Sequence, residues 1–238
     1  MDGILRGVQG HYKDLAYLMS SNVKIDFHTH SLFSHDAFTT MRQLGKFFRK
    51  NPDFVLAVTD HNEIEGALEA RELFGDHIII GEEIKTNQGE IIGLFLKKFV
   101  QPGMSILETV KEIREQDGLV MVPHPFKRHG NVDSPILEDQ LYMLHEHFDM
   151  IEVFNARNRT PGANVKACDF AEKYNKPQTV GSDAHAVYEI GSTYIDLPVY
   201  NGRSTLIENL RQGRKVCGSI PFHHRLFTRF QREIRKLL

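Results

Sequence analysis

Cysteine is scarce in this 238-residue chain: Cys168 and Cys217 stand far apart and neither belongs to a CxxC pair. Neither a disulfide framework nor a thiolate zinc site is indicated, and reduced thiols fit a cytoplasmic protein. Charge of one sign is lacking too. Lys and Arg total 29 against 31 Asp and Glu, leaving a formal net charge of −2, so there is no global attraction to nucleic acid or acidic membranes. No apolar run approaches the ~20 residues of a membrane helix, and the opening MDGILRGVQGHYKDL has no apolar signal-peptide core. No GxGxxG or Walker loop is present. No Pro-, Gly- or Ser-rich linker divides the chain between Val23 and Arg214.

What is present is alternation. The segments VKIDFH, DFVLAVTD, HIIIGEEI, EIIGLFL, GLVMVPH, MIEVFN, QTVGSD and STYIDL read as strands, several of them continuous apolar runs of the kind buried on both faces of parallel sheets. Between them MRQLGKFFRK, IEGALEARELF, SILETVKEIREQDG, ILEDQLYMLHEHF, ANVKACDFAEKY and TLIENLRQG carry apolar residues at helical spacing, and Ser105 with Glu108 offers a capping box. About seven such units predict a parallel α/β barrel.

Five strand-like segments stop on metal-binding side chains: DFHTH, TDHN, GEE, PHP and GSDAH. On a strand, residues i and i+2 share a side, so His28 with His30, and Asp183 with His185, are expected to aim paired ligands into one cavity. His61, Glu83 and His124 end the other segments. Burying so many ionisable groups without a counter-ion is expensive, which favours one polynuclear metal site. Imidazole and carboxylate without thiolate suit Zn, Mn or Fe, with Glu83 the expected bridge between ions. A metal-bridging hydroxide beside ions that hold a tetrahedral phosphate predicts phosphoester hydrolysis. Ligands closing many different strands favour a barrel over a doubly wound sheet, whose site gathers at one switch point.

These residues resemble the PHP (polymerase and histidinol phosphatase) superfamily of metal-dependent phosphoesterases, over most of the chain. HTHSLFSHD looks like its first motif, with His28, His30 and Asp36; VTDHN like its second, with His61; GEEIKT like its third, with Glu83. VPHPF supplies His124, and GSDAH supplies Asp183 and His185. Many relatives carry a further histidine just after the Glu motif; here Glu90 takes its place. The resemblance implies a distorted (β/α)7 TIM-like barrel holding two or three divalent ions. It implies a compact phosphatase for a small phosphorylated substrate, a nucleotide or a short oligonucleotide. The same motifs leave two other readings: a non-catalytic metal-stabilised module that docks to a partner, and an amidohydrolase-type C–N hydrolase.

Lys127 and Arg128 follow the HPF motif, and Arg157 and Arg159 follow MIEVFN, so both groups are expected at the catalytic rim as phosphate contacts. Asn155 is expected to orient a ligand or meet substrate, and Asp26 to orient a ligand histidine rather than bind metal. His145 and His147 read as a solvated helix face, His223 and His224 as a surface loop. The expected organisation is an N-terminal helical extension at 1–22, a barrel at 23–220 and a basic amphipathic helix at 221–238. That helix is expected to press its apolar face on the barrel or on a second subunit.

Overall fold

The computed structural model describes residues 22–128 and 135–235; apart from Asn22, the expected N-terminal extension lies outside the described residues, as do residues 236–238. Among the described residues eight strands follow the expected segments: β1 (Val23–Thr29), β2 (Phe54–Val58), β3 (Ile78–Thr86), β4 (Gly89–Leu94), β5 (Leu119–Val122), β6 (Met150–Asn155), β7 (Gln178–Gly181) and β8 (Thr193–Leu197); a ninth, β9 (Arg214–Cys217), stands where no strand was expected. Helices α1 (Met41–Lys50), α2 (Glu65–Phe74), α3 (Ile106–Glu115), α4 (Glu138–Met143), α5 (Ala163–Lys173), α6 (Arg203–Leu210) and α7 (Phe222–Arg235) connect and cover them. Thr40 with Gln43 and Ser105 with Glu108 form full capping boxes that start α1 and α3.

The sheet runs β7-β6-β5-β4-β3-β2-β1-β8-β9. It is nearly closed: just beyond β7, Asp183 N donates to His28 O (2.8 Å) and His30 N to Ala184 O (2.9 Å), joining the two sides of the sheet at the end of β1. The start of β1 pairs instead with β8, antiparallel, through Val23, Lys24 and Ile25. Period-two alternation divides β2 between two apolar layers, Val55 and Ala57 in one, Leu56 and Val58 in the other. The second layer is sealed by α1 and α2, where Phe48 and Phe74 meet at 5.3 Å between ring centroids.

The expected all-parallel sheet is corrected. β4 is antiparallel to both β3 and β5, and β8 to both β1 and β9. Only Asn87 and Gln88 separate β3 from β4, far short of the dozen residues that a parallel crossover needs. Because β4 runs backwards, its first residues lie at the end of the barrel where β1, β2, β3, β5, β6 and β7 finish. Glu90 reaches the same mouth in this way, paired with Lys85.

Other expectations are corrected locally. The helix read through His147 stops at Met143, and a 3-10 turn follows in which the His145 ring stacks on Tyr174 at 3.9 Å. His223 and His224 belong to α7 rather than to a loop, with His224 against Tyr188. α7 also turns the wrong way for an amphipathic helix on a barrel. Phe222, Leu226, Phe227 and Phe230 are 52–69% exposed, while Thr228 is buried.

Glu82 and Glu83 sit on opposite faces of β3. Glu82 is fully buried, accepts a hydrogen bond from Val100 N (2.9 Å), and is pushed up by burial from 4.5 to about 8. The fold therefore favours its protonated form. Its contribution to stability is whole below pH ~4.5 and is lost as the pH rises towards 8, at up to ~1.4 kcal/mol per pH unit. Glu82→Gln is expected to flatten the fall in melting temperature between pH 5 and 8; parallel wild-type and variant melting curves against pH would refute this.

Candidate metal centre

The mouth collects side chains from, or just after, six of the strands around it. His28 is on β1 and His30 just after it, Asp36 on the following loop, His61 after β2, Glu83 on β3, Glu90 on β4, His124 after β5, and Asp183 with His185 after β7. All are buried except His61, whose side chain is 9% exposed. His124 and Asp183 have positive φ, 30° and 54°. For non-glycine residues such backbone costs ~1–3 kcal/mol and persists where the surroundings demand it. Asp183 and His185 lie beyond the end of β7, so this turn, rather than the expected strand pleat, brings them together.

Glu83 is the hub. Its Oε2 lies 3.0 Å from His61 Nδ1, 3.2 Å from His28 Nε2 and 3.5 Å from His30 Nε2, while Oε1 lies 3.0 Å from His124 Nε2. Burial works against its charge, but His28 and His61 hold its carboxyl well below the ordinary range. His28 Nε2 and His30 Nε2 face each other at 3.2 Å, and Asp183 Oδ1 lies 3.4 Å from His30 Nε2. At the opposite side Asp36 Oδ2 lies 3.1 Å from His185 Nε2 and Oδ1 3.8 Å from His61 Nε2. Glu90 is more distant, 3.9 Å from His124 Nε2. His35, beside Asp36, is exposed.

Three donor sets converge, each with ligand atoms within 4.8 Å of one another: His30, His61 and His185; His28, His30 and Asp183; His28, Glu83 and His124. They share members, so neighbouring cations held here would share ligands. The donor chemistry fits divalent ions. Burial, then His185 and His61, press the His30 pKa down to about 3, leaving a neutral imidazole with a lone pair to give. Neither cysteine takes part: Cys217 is exposed, and Cys168 lies against Val153 O.

Three carboxylates brace the centre. Asp26 accepts from the backbone N–H of Ser182 (2.9 Å) and of His28 (3.3 Å), so it fixes the chain rather than an imidazole ring. Glu152, fully buried on β6, places Oε1 3.2 Å from His28 Nδ1, and its Oε2 accepts from His124 N (2.6 Å) and Asn155 Nδ2 (3.0 Å). Asn155 Nδ2 also reaches Asp183 Oδ2 at 3.3 Å. Glu189 accepts from His185 N (2.8 Å) and Arg157 (2.5 Å). Sequence reading missed Glu152 and Glu189; a single charged residue inside the apolar run MIEVFN was the available signal for the first. Only glycine fits at 181, where a Cβ would meet Glu152 Oε1 at 2.2 Å and His28 Cβ at 2.4 Å.

Among the expected phosphate contacts, Lys127 Nζ lies 3.7 Å from Asp183 Oδ2 and faces the centre. Arg157 is tied to Glu189, and Arg128 is exposed, with its backbone N–H donating to Thr160 Oγ1.

Residues 161–214 match the PHP-associated family. The uncharacterized protein MJ0417 of Methanocaldococcus jannaschii is 36% identical over 182 residues, 75% of this chain and 72% of that protein. A two-domain protein from Bacteroides vulgatus ATCC 8482, containing a predicted PHP-like metal-dependent phosphoesterase, has a TM-score of 0.64 over 83% of this chain and 65% of its own, at 18% identity. This chain belongs to the PHP superfamily. PsfC from Pseudomonas syringae PB-5123 shares the PHP chain's fold, with a TM-score of 0.60 over 92% of it and 100% of PsfC, at 18% identity. Among the described residues of this PHP protein, no helix is long and apolar enough to cross a membrane.

Proposed function

We propose that the chain is a metal-dependent phosphoesterase acting on a phosphomonoester or nucleotide phosphate. Its ligands are His28, His30, Asp36, His61, Glu83, His124, Asp183 and His185, with Glu90 at the edge of the set. The observation that carries the reading is the single Glu83 carboxylate, whose two oxygens serve four histidines in overlapping donor sets. Divalent ions bound there supply Lewis acidity to a phosphoryl oxygen and acidify water near neutral pH.

The chain's own part is positioning. Glu83 and Asp183 supply the negative charge that retains cations, and Glu152 and Asp26 hold His28 and His124 in place. Lys127 offers an ammonium to the substrate's non-bridging oxygens, beside Asp183. Phosphate release from a panel of phosphomonoesters, nucleotides and 5′-phosphorylated oligonucleotides, with Mn or Zn and a chelated control, tests the reading. Release that stops on chelation, and in a folded His124→Ala variant, is expected. No release at any metal loading would leave the docking module or the C–N hydrolase.

A further inference from the structure

α7 is tied to the barrel mainly by polar groups, with His224 and Phe227 also against the Tyr188 ring. Arg225 Nη2 donates to Ala156 O (2.9 Å), Thr228 Oγ1 to Glu189 Oε1 (2.9 Å) and Arg232 Nη2 to Asp36 Oδ2 (2.8 Å). These three acceptors follow β6, β7 and β1, which are neighbours around the mouth. Seven residues of helix cover ~10 Å, about the span of two strand spacings of ~4.8 Å. α7 therefore lies along this arc of the rim, each of these polar contacts meeting the segment that follows one strand.

The orientation leaves Phe222, Leu226, Phe227 and Phe230 in solvent, against the ordinary preference for apolar burial. What it gains is a guanidinium beside the centre, supplied from 196 residues along the chain. Arg232 Nε is shielded from solvent and has no hydrogen-bond partner among the described residues; the same holds for Nε of Arg157 and of Arg225 on the same rim. A guanidinium carries five donors and no acceptor, so donors left unused beside the centre call for an anion with several oxygens. Asp36 is also a proposed metal ligand. Once its charge is shared with cations, Arg232 has donors to give to a second anion in contact with them.

We propose that Arg232 is the guanidinium that receives the phosphoryl oxygens of the substrate, so that α7 completes the substrate site. This rests on the phosphoesterase reading and adds to it a contact from outside the strand-end motifs. Arg232→Gln, Arg232→Lys and, as control, Arg229→Gln at an exposed position of the same helix separate the possibilities. The full-length, Mn-loaded proteins are titrated with inorganic phosphate by calorimetry, assayed for KM and kcat on the best ester of the panel, and checked for melting temperature and metal content.

Arg232→Gln is expected to raise both the phosphate Kd and KM about tenfold or more, with metal content and melting temperature retained. Lys should restore part of the affinity, and Arg229→Gln should match wild type. An unchanged phosphate Kd in Arg232→Gln overturns the inference, as does a loss that follows metal content, which would make Arg232 only a structural partner of Asp36. If wild type hydrolyses no ester, the phosphoesterase reading fails, while the phosphate titration still decides whether Arg232 holds the anion.

Discussion

Glu83→Ala is expected to abolish metal retention and phosphate release together, with kcat/KM falling by at least ~10³, equivalent to ~4 kcal/mol of lost stabilisation. No other carboxylate in the centre stands within 3.5 Å of four imidazoles. Removing it leaves His28, His30, His61 and His124 converging on one another, with their counter-charge reduced to Asp183, Asp36, Glu90 and, on the far side of His28, Glu152. Stripping one partner from a buried charged group costs ~3–5 kcal/mol, so the metal-free variant should also melt earlier than metal-free wild type. Glu83→Gln sharpens the experiment. It keeps the side-chain volume, yet replaces an acceptor oxygen with an amide donor, so metal retention should fail in it as well. Elemental analysis after dialysis decides: stoichiometric metal in either variant, at wild-type affinity, would rule out Glu83 as the shared ligand.

Glu152→Gln is expected to weaken metal affinity by ~10–100-fold, the usual cost of losing a residue that orients a ligand histidine. Glu152 touches no expected cation. It holds the Nδ1 side of His28 with one oxygen and the backbone N–H of His124 with the other, and so sets two ligands from two strands at once. An amide can keep one of those acceptor contacts but not both, because its nitrogen only donates. The variant should therefore stay folded and regain near-normal kcat at high metal concentration. That pattern differs from Glu83→Ala, where added metal should not restore turnover. Metal titration of activity checks it, and a wild-type midpoint would show that β6 only supports the fold.

Much of this architecture was legible before any coordinates. Apolar runs such as FVLAV and LVMV mark buried strands because a strand covered on both faces has no polar side. The metal-binding residue types were visible because each interrupts or ends such a run, where a structural role for a charge is hardest to supply. Strand polarity was harder. β4 reads as one more apolar strand, and only the two-residue connection after Thr86 betrays that it runs backwards. The face of α7 was beyond sequence altogether. Amphipathic spacing says that a helix has two faces and nothing about which one its neighbours will accept.

The sequence by itself determined eight of the strands and most of the side chains gathered at the mouth, since burial periodicity and donor chemistry are local properties of a few consecutive residues. Tertiary structure decided which distant groups serve them. Glu152 braces His28 across 124 residues, Glu189 joins His185 to Arg157 and Thr228, and Arg232 reaches Asp36. Each of these partnerships depends on strand order, on the closure of β1 against the segment after β7, and on the seating of α7. Those are outcomes of long-range packing, in which hydrogen-bond partners are set by position in space and leave no spacing rule along the chain.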